Sequence, residues 1–259
     1  MKKIFIVPLL STAVALCLVS CLEGGGGNKQ EGTFPAVVSY NTDIALPTIL
    51  TTIGEFAAPK LATSDLKKGD CILVRFTLDW DNQPTNKSPF YATNISYLDI
   101  DQSYAEIKDD FDEKELIVPA DSILPILSVI PQSYHAILNG KVFFVFGHNV
   151  SIKQDMDYSM IVKPNEDAST DAAVTVYVIC KKNNEPDETK YNVENLYAID
   201  MLNVIGELGE EITVHENGVD IRTQQLKIKI KYCTGVDEQG VPQYQSYYND
   251  GTITLAVYK

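Results

Sequence analysis

Histidine is the residue type whose unperturbed side chain changes charge nearest neutral pH, so metal and acid–base chemistry is sought first at His135, His148 and His215. No two stand four residues apart, the spacing that puts two ligands on one helix face, and no Cys-x-x-Cys occurs. His148, in GHNV, falls at an expected strand end and His215, in VHENG, at an expected turn, so both read as solvated surface residues. There is no Gly-x-Ser-x-Gly elbow, and the glycine cluster Gly24–Gly27 does not have the setting of a phosphate loop. Carboxylates are plentiful. The stretch from Asp79 and Asp81 opens like a calcium loop, but it has Pro84 where glycine is needed and Phe90 where the bidentate glutamate belongs. The stretch from Asp99, Asp101 and Ser103 fails at Tyr104 and ends in Asp110. No catalytic residue, metal ligand or cofactor site is assigned, and the acidic loops read as solvated. A glycosidase needs only two carboxylates about 5 to 10 Å apart in space. A carboxylate-based glycoside-acting enzyme therefore stays open as an alternative.

Aromatic residues are the next candidates. Trp80, with Phe90 and Tyr91, has the makings of a glycan platform, yet it shares the phase of Phe76 and Leu78 and so turns toward the core edge. Tyr244, Tyr247 and Tyr248 fall in an expected loop; tyrosine suits recognition surfaces, but packing against the chain's own domain is the plainer reading.

The cysteines carry the clearest chemistry. Lys2 and Lys3 precede an apolar run, Ile4 to Val19, which is shorter than the roughly 20 residues that span a bilayer. That is the layout of a secretory signal. It ends in Leu18-Val19-Ser20-Cys21, which resembles the lipobox of bacterial lipoproteins. The resemblance implies cleavage after Ser20, a lipid on Cys21 and attachment to a membrane. Leu22 points to the outer membrane, on its periplasmic or cell-surface face. Gly24–Gly27 and the polar residues after them then serve as slack between lipid and fold. Cys71, Cys180 and Cys233 remain. Cys180 keeps the phase of Val174, Val176 and Val178, the dry side, while Cys233 keeps that of Lys227, Lys229 and Lys231, the wet side. The expectation is free thiols.

The first 20 residues hold two of the 21 basic side chains and none of the 35 acidic ones, so the remainder carries 19 against 35, a formal charge of −16. Such a surface repels nucleic acid and anionic headgroups. Nucleic acid is excluded as a partner, and the lipid alone holds the protein to its membrane.

The elements that position these residues are strands. CILVRFTLDW places Ile72, Val74, Phe76, Leu78 and Trp80 on one face, and FYATNISYLDID follows after a loop of turn formers. LKIKIKYC turns Leu226, Ile228, Ile230 and Tyr232 inward and its lysines outward; TITLAVYK pairs with it, burying Ile253, Leu255 and Val257. Many short strands with turns between them predict an all-β chain of sandwich or barrel type. One stretch, SYAEIKDDFDEKEL, is expected to hold two or three helical turns, with Ser103 as N-cap and Glu106 as its capping-box partner. VENLYAIDMLNVIGELG is read as strand from the alternation of Tyr197, Ile199 and Met201. Pro119, Pro125 and Pro131 mark a connector. The expected layout is a signal at 1–20, a tether at 21–31, a first domain at 32–131 and a second at 132–259.

The lipobox, the tether, LPTILTTIGEFAAPKL with GDCILVRFTLDWDNQP, and the closing LKIKIKY and TITLAVYK together resemble the NigD-like lipoproteins of Bacteroidetes. The resemblance implies a small OB-like barrel followed by an immunoglobulin-like antiparallel β-sandwich. It brings no catalytic residues. The expected function is a non-enzymatic binding or scaffolding module of the envelope, with a protein or glycan partner. A fimbrial or adhesin-type subunit is the alternative. Fimbrillins mature by a cut after an arginine, and the first arginine here, Arg75, sits inside an expected strand.

Overall fold

The computed structural model describes residues 28–259 apart from 84–88, 115, 117, 132–137, 166–171, 186–188, 217–218, 248–251 and 259. The signal, Cys21, His135 and Tyr248 lie outside the described residues, as does the side chain of Val257.

Five strands close a barrel: β1 (Lys29–Asn41), β2 (Leu46–Thr51), β3 (Gly54–Ala57), β4 (Cys71–Asp79) and β5 (Phe90–Asp99). They follow the order β1-β2-β3-β5-β4. Period-two alternation fills the interior. Ile72, Val74, Phe76 and Leu78 of β4 meet Ala36, Val38, Ile49, Phe56, Ala92 and Ile95. Phe76 sits among the rings of Phe34 and Phe56, at centroid distances of 5.7 and 5.2 Å. The tight β2–β3 turn depends on Gly54, whose φ of 136° is closed to other residues. β1 begins at Lys29, paired with Asp79, so Lys29, Gln30 and Glu31 belong to the barrel and not to the expected tether.

The second body is one curled sheet. Its strands are β6 (Gln102–Ile107), β7 (Ser128–Pro131), β8 (Lys141–Val150), β9 (Met156–Pro164), β10 (Val174–Lys182), β11 (Tyr191–Asp200), β12 (Glu210–Glu216), β13 (Val219–Val236), β14 (Pro242–Ser246) and β15 (Ile253–Tyr258). The order is β12-β13-β10-β9-β6-β11-β8-β7, with β14 and β15 also on β13. β6 joins the two layers, running parallel to β11 through 102–104 and to β9 through 105–107. β10 also runs parallel to β13. Three parallel pairings thus sit within a sheet expected to be antiparallel. Phe144, Phe146, Tyr197 and Ile199 of one layer face Val162, Val176, Val178, Ile228 and Ile230 of the other. The final pairing is as expected: Leu226 lies opposite Leu255 and Ile228 opposite Ile253, all buried.

Three local expectations are corrected. Residues 102–107 are strand β6 and not a helix: Ala105 and Ile107 pack on the sandwich core while Tyr104 and Glu106 face out, and that burial overrides the capping motif. VENLYAIDMLNVIGELG is half strand. β11 ends at Asp200, and a short helix α1 (Leu202–Leu208) follows, with Val204 and Ile205 buried. Asp200 Oδ1 accepts from the Leu202 amide at 3.0 Å, meeting one of the helix's open donors. The Pro-rich stretch is more than a connector, since it supplies β7. Barrel strands end at Asp99, while β6 and β7, from the segment expected in the first domain, belong to the larger sheet.

Barrel and sandwich share an apolar seam. Val37, Cys71 and Ile100 pack against Leu138, Phe143 and Ala198, with Leu50, Leu73 and Leu196 at its margin. Beside it Lys141 Nζ meets Asp200 Oδ2 at 2.6 Å across β8 and β11, with the lysine side chain 8% exposed.

Candidate functional site

The candidate site is built by a strap. Residues 123–127 cross from one layer of the sandwich to the other, held by backbone bonds. Leu124 N–H donates to Cys180 O, Ile126 N–H to Cys233 O and Leu127 N–H to Gly147 O, at 2.8 to 2.9 Å. Beside the strap lies a cleft of about 450 Å³. Its apolar wall is Ile123, Leu124, Pro125, Leu127 and Val150, and its polar wall includes Asn149, Gln154, Lys182, Glu185 and Lys190. The polar wall is braced. Gln154 Nε2 donates to Asn184 O and Oδ1 at 2.7 and 2.9 Å, and the Asp155 amide donates to Asn184 Oδ1 at 2.8 Å. The β8–β9 turn is thereby tied to the loop after β10.

His148 anchors the strap from beneath. It is 1% exposed, not solvated as expected. Nδ1–H donates to Pro125 O at 2.9 Å, and Nε2 accepts from the Tyr158 hydroxyl at 2.7 Å. Asn195 Nδ2 donates to the same hydroxyl at 3.3 Å. Burial, opposed only in part by the Pro125 bond, pushes the imidazole down to about 4, so it is neutral at pH 7. Its buried position was readable: Val142, Phe144, Phe146, His148 and Val150 share one parity.

The other candidates find structural places. Cys71, Cys180 and Cys233 are free and buried, and burial pushes the Cys71 and Cys180 thiols up to about 12, the opposite of a reactive nucleophile. Cys233 is not on a wet face: Val118, Ile123 and Ile179 pack with it, with Leu116 at the margin, on the outer side of β10 and β13. Asp79 pairs with Lys29 at 3.3 Å, and Asp81 accepts from the Asn28 amide at 3.0 Å, so both fasten the start of β1. Trp80 lies at the edge of the barrel core, edge-on to Phe90 at 5.1 Å. Tyr244 packs edge-on to Tyr177 at 5.1 Å, on its own domain. His215 is exposed in β12. The cleft itself is the feature sequence reasoning missed.

Among the described residues the cleft wall carries two lysines and one carboxylate, Glu185, which is ion-paired with Lys182. Two facing acids of the glycosidase kind are not among the described residues that line it. The wall instead presents amide and ammonium donors above an apolar floor, an arrangement for holding a ligand.

Residues 26–99 match the family model described as a lipoprotein OB domain. The match covers β1 to β5 and stops where the barrel closes. No curated protein matches the chain. Among solved structures, the chain is similar to a NigD-like immunity protein from Bacteroides caccae, with 13% identity, 84% of this chain and 93% of that one covered, and a TM-score of 0.48. It is also similar to a protein of unknown function from Bacteroides vulgatus, with 14% identity, 84% and 91% covered, and a TM-score of 0.44. The all-β class and the OB-like first domain expected from the sequence agree with the closed barrel and with the family match.

Proposed function

We propose that this protein is a lipid-anchored binding module of the cell envelope, held to the outer membrane through Cys21, which captures its ligand in the cleft beside the 123–127 strap. The carrying observation is that cleft: a concave site with an apolar floor and a braced polar rim, on a scaffold where His148, Cys71, Cys180, Cys233, Asp79 and Asp81 have structural places. The lipoprotein OB family supports the envelope address. The fimbrial alternative is disfavoured by Arg75, which lies in β4 with Thr33 and Ser96 as its strand partners, so a cut there opens the barrel.

A thermal-shift screen tests the reading. Soluble glycans, peptides and small carboxylates are applied to the chain from Leu22 onward and to Leu127→Trp, which fills the cleft mouth at a residue 55% exposed. Ligands that raise the melting temperature of the parent chain but not of Leu127→Trp support it. Ligands that stabilise both equally place binding elsewhere and overturn it.

A further inference from the structure

The charge in the cleft differs from that of the chain. The protein carries 35 acidic against 21 basic side chains, yet among the described residues the cleft wall holds two lysines against one glutamate. Glu185 is committed: its carboxylate pairs with Lys182, and that hydrogen bond and charge hold its carboxyl below the usual range. Among the described residues Lys190 has no such partner, and the Asn149 side-chain amide is also unbonded. An ammonium and an amide therefore face the cleft with hydrogen-bonding capacity unspent. Opposite them, Leu124, Pro125, Leu127 and Val150 offer only apolar surface. A volume of about 450 Å³ lies within the range of small-molecule sites, about 300 to 1,000 Å³.

From this juxtaposition we infer that the cleft takes a small amphipathic carboxylate, its anionic group on Lys190 and Asn149 and its apolar body against the strap. The inference rests on the cleft being the binding site. A neutral apolar ligand leaves the ammonium unanswered, and a purely ionic one forgoes the apolar wall. A cation meets Lys190 with Glu185 already occupied. In a cleft with low-dielectric walls, a single unpaired ammonium attracts an anion more strongly than it does on an open surface. Lys182 is a second potential donor, held in reserve by Glu185.

Octanoate, 1-octanol and acetate serve as probes, each titrated into the chain from Leu22 onward, which contains every described residue, while amide shifts are followed by NMR. Octanoate is expected to move the amides of Leu124, Val150 and Lys190, with octanol and acetate each binding at least about tenfold more weakly, as expected for a hydrogen bond to a charged group. Lys190→Gln should weaken octanoate binding about tenfold, and Glu185→Gln, which releases Lys182, should strengthen it. Octanol that moves the same amides as tightly as octanoate, or octanoate binding indifferent to Lys190→Gln, overturns the carboxylate assignment and leaves the cleft standing as a site. Octanoate that shifts only amides remote from the strap overturns the inference, and the broader Leu127→Trp screen then judges the cleft separately.

Discussion

His148 Nε2 and the Tyr158 hydroxyl lie 2.7 Å apart inside the sandwich, and the other imidazole nitrogen holds the carbonyl of Pro125, so one neutral ring joins core to strap. The ring serves as donor at Nδ1 and acceptor at Nε2. Protonation makes both nitrogens donors, so the Tyr158 hydroxyl has to turn its own hydrogen away from the ring and a charge is left buried. The folded-state value of about 4 lies below the unfolded value of about 6.5. Between those values the unfolded chain binds more protons, so stability falls as pH falls. His148 is therefore neutral in its effect above about pH 6.5. It costs progressively more down to about pH 4, where the loss is on the order of 3 kcal/mol. Urea midpoints measured across this window should slope downward with acidification in the wild type and less so in His148→Gln. Equal slopes defeat the assignment.

The buried Lys141–Asp200 pair gives a second test. Asp200→Asn leaves an ammonium with 8% exposure unpaired and should cost about 3 to 5 kcal/mol. Replacing both residues, as Lys141→Met with Asp200→Leu, should recover most of that loss, because two desolvated charges are exchanged for apolar contact. Denaturant melts of the single and double variants decide it. A double variant as unstable as Asp200→Asn alone contradicts the desolvation argument.

Leu255 lies opposite Leu226 and is fully buried, so the last strand belongs to the core. Leu255→Ala should cost about 2 to 5 kcal/mol. A melting temperature within a few degrees of wild type shows instead a dispensable tail.

Phe143 belongs to the sandwich but packs with Val37 and Cys71 of the barrel. The single tryptophan, Trp80, lies in the barrel, so its fluorescence follows that unit alone, whereas far-ultraviolet circular dichroism follows both. The two signals should melt together in the wild type. In Phe143→Ala, where about 3 to 5 kcal/mol of packing is lost, they should separate. Separate melting in the wild type marks the seam as too weak to couple the units.

Cys21→Ala should move the protein from the membrane fraction to the soluble fraction, since several acyl chains hold firmly and the acidic chain has no polybasic patch to replace them. Unchanged fractionation removes the lipid anchor from the proposed function.

Local alternation determined what lay within single strands. A strand's pleat sends neighbours to opposite faces whatever surrounds it, so Ile72 to Leu78 and Leu226 to Tyr232 were legible as inward rows, and with them the all-β class. The proposed anchor at Cys21 is likewise a reading of one local run. Tertiary structure decided what covers the other face. Cys233 is in phase with lysines, yet Val118 and Ile123 pack over it from more than a hundred positions away. His148 shares the inward parity of β8, but the Pro125 carbonyl that it holds belongs to a strap from outside its own hairpin. β6 carries a helix-capping signal, and its pairing with β9 and β11 outweighs it. The cleft follows the same rule, because its walls come from the strap, the β8–β9 turn and the loop after β10. Dryness, pairing and concavity depend on distant segments arriving at one place, and no short-range pattern records that meeting.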